Sequence, residues 1–278
     1  MSKKSLSAFR WRDCLAKLDV RNPDRAARLM MARWFKVASL SIKSHELPWL
    51  TEADRCVWDT PCGQLPGYCW PGIGQPVLLL HGWGGRASQM AFIGQQLSAA
   101  DIPSLAFDAP AHGDAGGRHS TVLQMAQAFA NVAASVGGIR AVVTHSYSVG
   151  AVLLAHKEFG VRFDKMVAIS PSAYPLARFD EFVRPLALSE ATLQAFEKLL
   201  ARRMGAHWWQ RIAPLNNVAQ CQAQGLIIHD RQDGIVPLAE ASALQQHWPG
   251  SQLVQTDGLG HIRILSAPVV AQTIREFL

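Results

Sequence analysis

Polar residues follow the apolar runs in the second part of this chain, and several of them are types that carry nucleophilic catalysis. Ser146 and Ser148 follow the run AVVTH, Asp233 lies just beyond GLIIHD, and His261 ends the stretch GLGH. A serine hydroxyl is a poor nucleophile near neutral pH, so it needs a base within reach and an acid that orients that base. The set therefore predicts catalysis by a serine, a histidine and an aspartate.

Either of two serines could be the nucleophile, and strand length favours Ser146. The run RAVVTH already has the usual strand length of about five to six residues when it reaches His145. Around Ser146 the glycines of a G-x-S-x-G elbow are replaced by Thr144 and Ser148. Centring the elbow on Ser148 would keep Gly150 but would draw His145 into the strand. Thr144 predicts either a slightly opened elbow or a small neighbouring residue.

Three aspartates compete to orient His261. Asp230 ends a strand, Asp233 precedes Val-Pro by three residues, and Asp257 lies close to the histidine. Asp230 also fits a cap or turn residue. Other histidines also stand at strand ends, but their spacing does not match a metal site, and we expect no metal and no cofactor. These histidines are His81, His112 and His229.

Elements that could bring these residues together are visible in the apolar pattern. Continuous apolar runs separated by segments with helical apolar spacing predict a mostly parallel sheet with helices on both faces, whose strand ends converge on one crevice. We predict three parts: an N-terminal helical extension over 1–54, an α/β core over 55–170 and 215–278, and a small helical cap over 171–214. The runs are RCVWDT, LPGYCW, PVLLLHG, PSLAFDAP, RAVVTHS, KMVAISP, GLIIHD and QLVQTDG.

Charge and cysteine content narrow the class of protein. Of the net charge of +6, most lies in residues 1–54, which hold 11 Lys/Arg and 6 Asp/Glu. So local an excess argues against a nucleic-acid-binding domain and fits a solvated helix face or a membrane-surface contact. We expect the helix of 22–37 to pack on the protein instead. Five cysteines without zinc spacing, and no secretory signal, predict reduced thiols in a cytoplasmic protein.

Four motifs in this order resemble the serine α/β-hydrolase family over residues 55–278. They are HGWGG, DAPAHGDA, HDRQDGIVP and GLGH. The resemblance implies the α/β-hydrolase fold, with Ser146 as nucleophile, His261 as base and Asp233 as the acid. The family's acid-bearing block has Val-Pro three residues after the acid, and this spacing favours Asp233 over Asp230 and Asp257. It also implies an oxyanion hole made by the backbone N–H groups of Trp83 and Tyr147.

The resemblance predicts a serine hydrolase that cleaves a carboxylic ester or thioester through an acyl-enzyme. We expect a small-molecule substrate in an apolar pocket lined by Trp83, Tyr174, Trp208 and Trp209. A C–C bond hydrolase or a cofactor-free perhydrolase would use the same three residues. The alternative of another class is a catalytically silent α/β-hydrolase fold that binds a ligand or a partner. The sequence predicts no oligomeric state.

Overall fold

Eight strands form one sheet in the computed structural model, which describes residues 3–38 and 40–278. The sheet order is β1-β2-β4-β3-β5-β6-β7-β8; β1 and β2 run antiparallel to their neighbours and the remaining neighbours are parallel. All eight apolar runs are strands, which confirms the predicted mostly parallel sheet. The strands are β1 Asp54–Thr60, β2 Gly63–Trp70, β3 Val77–Leu80, β4 Ser104–Phe107, β5 Ala141–His145, β6 Lys165–Ile169, β7 Gln224–Asp230 and β8 Gln252–Thr256.

Within the described residues, twelve α-helices accompany the sheet, and none is long and apolar enough to cross a membrane. Several short 3₁₀ turns connect them. The helices are α1 Lys3–Arg21, α2 Pro23–Trp34, α3 Ala91–Ser98, α4 Val122–Ser135, α5 Ser148–Glu158, α6 Pro175–Val183, α7 Glu190–Met204, α8 Trp208–Ile212, α9 Pro214–Val218, α10 Leu238–His247, α11 Gly260–Arg263 and α12 Pro268–Phe277.

The central strands are buried over their whole length. Every residue of β3, β4 and β5 is buried, and in β6 only Lys165 is partly exposed. Strands covered by helices on both faces have no solvent side, and for this reason their sequences are continuously apolar instead of alternating. By contrast, β1 at the sheet edge alternates exposed and half-buried residues. The rigid centre of the sheet therefore carries the strand ends that matter for the site.

The chain forms two compact units. One contains the described residues up to Lys36 together with Pro175–Arg211, and the other contains Val37–Tyr174 and Ile212–Leu278. The second unit holds the whole sheet. The predicted division into an extension, a core and a cap remains a prediction, because the contacts group the N-terminal helices with the inserted segment.

The smaller unit is held by apolar and capping contacts among its own helices. Asn22 caps α2, because its Oδ1 accepts the N–H of Arg25 at 3.0 Å. The Trp34 ring of α2 lies 5.0 Å from the Phe182 ring, centroid to centroid. The hydroxyl of Ser189, the N-cap of α7, donates to Asp19 Oδ1 at 2.7 Å.

Two of the five cysteines are paired, and this overturns the expectation of five reduced thiols. Cys56 and Cys69 form a disulfide between β1 and β2, with their Cα atoms 6.4 Å apart. The hairpin register brings Cys56 opposite Gly67 and therefore diagonal to Cys69. Cys14, Cys62 and Cys221 are free. The cytoplasmic location, which rested partly on reduced thiols, remains a prediction.

Candidate active site

The chain turns sharply at Ser146, between the end of β5 and the start of α5. Ser146 has φ +56°, a left-handed conformation that non-glycine residues rarely adopt. Hydrogen bonds to the neighbouring strand end hold this turn: the Ser146 N–H donates to Ile169 O at 2.9 Å, and its carbonyl accepts the N–H of Ser172 at 3.2 Å. The hydroxyl of Ser146 is thereby presented at the carboxyl end of the sheet, and Ser148 lies in the first turn of α5.

Ser146, His261 and Asp233 lie in one hydrogen-bonded line. The distance from Ser146 Oγ to His261 Nε2 is 3.0 Å, and from His261 Nδ1 to Asp233 Oδ2 it is 2.7 Å. His261 is in α11, and Asp233 is in the loop after β7. Both distances are normal hydrogen-bond lengths. The arrangement can transfer the serine proton to the imidazole while the carboxylate fixes the other ring nitrogen as a donor.

The carboxylate of Asp233 is buried and kept ionised by donors. Its Oδ1 accepts the backbone N–H groups of Ile235 at 2.8 Å and Val236 at 2.9 Å, and Oδ2 faces His261. Burial alone would raise the pKa of Asp233, but the hydrogen bonds from His261 and from these backbone groups outweigh it and lower the pKa below its usual value. Asp233 can therefore stay negative beside a histidine that gains a proton.

The two rival aspartates have other contacts. Asp230 Oδ2 accepts the hydroxyl of Thr256 at 2.8 Å and the N–H of Leu259 at 2.9 Å, so Asp230 fastens the loop that leads to His261. Burial alone would raise the pKa of Asp230, but hydrogen bonds from backbone N–H groups and from the hydroxyl of Thr256 outweigh it and lower the pKa below its usual value. Asp257 is exposed and pairs with Arg231 at 2.9 Å. Of the three aspartates, Asp233 lies against the histidine ring.

The residues that replace the elbow glycines are both accommodated. Thr144 is fully buried in β5, opposite Ala168 of β6, and its Oγ1 donates to Val167 O at 3.2 Å. Ala168, the register partner of Thr144 in β6, is small, whereas the partner of Thr144 in β3 is Leu80. Ser148 Oγ accepts the N–H of His145 at 3.0 Å and lies 2.9 Å from Leu80 O, so its hydroxyl joins the ends of β5 and β3.

The loop after β3 packs tightly against the elbow at Gly82. A Cβ atom at this position would lie 3.0 Å from the Cβ of Ser146, so any larger residue at position 82 would crowd the elbow. The backbone N–H groups of Trp83 and Tyr147 donate no hydrogen bond to another described residue. The Trp83 and Tyr147 rings pack edge to face, with their centroids 5.7 Å apart. Burial raises the pKa of the Tyr147 hydroxyl to about 12.

The remaining strand-end histidines serve the loops. His81 Nδ1 donates to Gly82 O at 2.7 Å, and its Nε2 accepts the N–H of Ala109 at 3.1 Å, so this ring joins the loops after β3 and β4. Burial lowers the pKa of His81 to about 4 and of His112 to about 3. His229 is buried beside Asp233 and bonds Val236 O at 3.0 Å. Among the described residues, no group of three or more acidic, histidine or cysteine side chains is arranged to hold a metal ion.

The predicted substrate-binding aromatics fall in both units. Trp83 is half-buried beside the elbow, and Tyr174, 42% exposed, lies in the loop after β6. Trp208 and Trp209 belong to the smaller unit, where the Trp208 ring lies 6.0 Å from Trp209 and 6.1 Å from Phe179. Trp208 is only 4% exposed, so packing accounts for its position. A substrate-binding role for these side chains remains a prediction.

Two supporting residues escaped the sequence analysis. Glu240 is buried in α10, and its Oε2 accepts the N–H of Ala173 at 2.7 Å and of Tyr174 at 3.2 Å, next to the segment that bonds the Ser146 carbonyl. His145 bonds the main chain of His261 through its ring. For His145 the sequence held one signal, its position directly before Ser146, and for Glu240 it held none.

Comparison with known proteins agrees with this architecture. The family model described as the alpha/beta hydrolase family matches residues 77–273, whereas a search of curated proteins gives no match. An esterase from Thermogutta terrifontis is 21% identical, with 81% of this chain and 98% of that chain covered and a TM-score of 0.58. An esterase from Pyrococcus furiosus is 20% identical, with 87% of this chain and 95% of that chain covered and a TM-score of 0.63. A bacterial membrane phospholipase A is 15% identical, with 100% of this chain and 98% of that chain covered and a TM-score of 0.64.

Proposed function

Because the chain belongs to the alpha/beta hydrolase family, we propose that it is a serine hydrolase that cleaves a carboxylic ester or thioester through an acyl-enzyme on Ser146. One observation carries the proposal: the continuous hydrogen-bonded line from Ser146 Oγ through the His261 ring to Asp233. Such a line is the requirement for making a serine nucleophilic near neutral pH.

The proposed reaction has two halves. Ser146 Oγ attacks the carbonyl carbon as its proton passes to His261 Nε2, and the oxyanion accepts hydrogen bonds from the N–H groups of Trp83 and Tyr147. The intermediate then collapses, and the departing alkoxide or thiolate takes the proton from His261. In the second half, a water molecule gives a proton to His261 and attacks the acyl carbon. The bond from the acyl carbon to Ser146 Oγ then breaks, the acid leaves, and His261 returns its proton to Oγ.

Asp233 contributes by keeping its negative charge throughout. Its hydrogen bond to Nδ1 holds His261 in the tautomer whose Nε2 can accept the serine proton, and it stabilises the cationic ring that results. The N-terminus of α5 starts two residues after Ser146, and its partial positive charge favours the oxyanion. Both effects support a carbonyl substrate that passes through a tetrahedral intermediate.

The substrate class is proposed as a small molecule with an apolar group beside the scissile bond. The half-buried Trp83 next to the elbow supports this, and the fold relatives include proteins described as esterases and a phospholipase. We propose no nucleic-acid partner, because the basic excess is confined to the N-terminal segment of the sequence.

A fluorophosphonate probe tests the proposal directly. We expect the folded protein to be labelled at one site, with the label on the peptide that contains Ser146, and we expect Ser146→Ala to abolish it. Ser148→Ala tests the rival serine and should still be labelled, although more slowly, because the hydroxyl of Ser148 also joins the ends of β5 and β3. A panel of p-nitrophenyl esters and matching thioesters of increasing acyl length then identifies the leaving group and chain length. Labelling that survives Ser146→Ala, or no labelling of the folded protein, contradicts the proposal; the second result favours a silent binding fold.

A further inference from the structure

We infer that His145 is a positioning residue that fixes the main chain of His261, so that the base keeps its place between Ser146 and Asp233. The inference deepens the proposed function and rests on it. The side chain of His145 is 2% exposed, and its Nε2 lies 2.9 Å from the carbonyl oxygen of His261. Since a carbonyl oxygen only accepts, Nε2 carries the proton and donates it.

The other side of the ring fixes the same tautomer. His145 Nδ1 is buried and has no hydrogen-bond partner among the residues that the structure describes. It faces Gly82, where an added Cβ would lie 3.2 Å from it. A proton on Nδ1 would therefore find no acceptor, whereas a proton on Nε2 has one. Burial, with the nearby His261, lowers the pKa of His145 to about 3, and the ring stays neutral at ordinary pH.

The segment that carries His261 has little structure of its own. Helix α11 is four residues long, and Gly258 and Gly260 precede the histidine with φ of +78° and +65°. A single helical turn gains too few hydrogen bonds to be stable alone, so its position depends on external contacts. Asp230 fastens Leu259 from one side, and His145 fastens His261 itself.

His145 thereby links the nucleophile and the base to the same strand end. It is the last residue of β5, which pairs with β3 and β6 in the buried centre of the sheet, and Ser146 follows it in the chain. The His145 and His261 rings are 4.7 Å apart. A shift of about 1 Å at a catalytic group can cost about 10²-fold in rate, so one such bond is sufficient to matter.

Three variants separate a donor role from a packing role. His145→Phe keeps a ring but has no donor, and His145→Gln keeps an N–H donor at a similar reach from the backbone. His156→Phe is the matched control, because His156 Nδ1 donates to Val161 O at 2.8 Å, away from the site. We expect His145→Phe to lower the second-order rate constant for fluorophosphonate labelling by about 10²-fold. We expect His145→Gln to recover most of the rate, and the control to match the wild type.

Two NMR measurements make the test independent of turnover. In the wild-type protein, ¹⁵N shifts should show His145 protonated on Nε2 and bare on Nδ1. The downfield proton between His261 Nδ1 and Asp233 should broaden or move in His145→Phe and return in His145→Gln. If the wild type is not labelled but this proton responds, the proposed function fails and the positioning role stands. Protonation of His145 on Nδ1, equal losses in the Phe and Gln variants, or a full labelling rate in His145→Phe would each overturn the inference.

Discussion

Restoring the elbow glycine at Thr144 should destabilise the protein without making it more active. Thr144→Gly removes two buried side-chain carbons, and the loss of their burial should reduce the free energy of unfolding by about 1.6 kcal/mol. The hydrogen bond from Oγ1 to Val167 O is worth about 1 kcal/mol, and glycine in a strand costs about 0.5–1 kcal/mol in backbone entropy. We therefore expect a loss of about 3 kcal/mol in the free energy of unfolding.

Urea unfolding of Thr144→Gly, Thr144→Ser and Thr144→Val measures each contribution. The serine variant loses one methyl and the valine variant loses the hydroxyl, so each should cost about 1 kcal/mol. The fluorophosphonate labelling rate should not rise in any of them, because Ser146 Oγ already lies 3.0 Å from the base. A glycine variant as stable as the wild type, or one that is labelled faster, would refute the reasoning.

Three further perturbations follow from contacts around the site. Asp233→Asn should lower kcat by about 10⁴-fold in the ester assay, because the amide no longer holds the His261 tautomer. The pKa of Asp233 is lower in the folded protein than its usual 3.8, so its contribution to stability is present above that pH and is lost as the pH falls through the lower folded value; acid titrations of unfolding should be less steep in the variant. Gly82→Ala should slow labelling, since its Cβ would lie 3.0 Å from the Cβ of Ser146; unchanged labelling would count against the tight packing there. Glu240→Gln should reduce the free energy of unfolding by about 1–2 kcal/mol, measured in urea, because two backbone N–H groups lose a charged acceptor; an unchanged midpoint would contradict this.

The sheet was predictable because its signal is local. Strands buried on both faces must be apolar throughout, so each run is visible in the sequence without knowledge of its partners. The strand order was not predicted, because it depends on pairing between distant segments. The bounds of helix α1 were not predicted: of its residues 11–21, Leu15 alone is fully buried, so the apolar signal there is weak.

The candidate site was predictable in its residue types and less so in its supports. The Val-Pro spacing singled out Asp233, but the role of Asp230 depends on its contact with Leu259, 29 residues away. The bond from His145 to His261 spans 116 residues, and no local pattern encodes it. The disulfide was missed for a similar reason, because the hairpin register determines which cysteines meet.

The left-handed backbone conformation at Ser146 lowers the stability of the fold, but it presents the serine hydroxyl for attack. A non-glycine residue in this conformation costs about 1–3 kcal/mol, and every folded molecule bears that cost whether or not a substrate is present. Glycine would relieve it and would leave no hydroxyl. Glycine, the residue with the least strain in this turn, would therefore abolish nucleophilic catalysis. The remaining contacts of the sheet must offset the strain that the serine introduces.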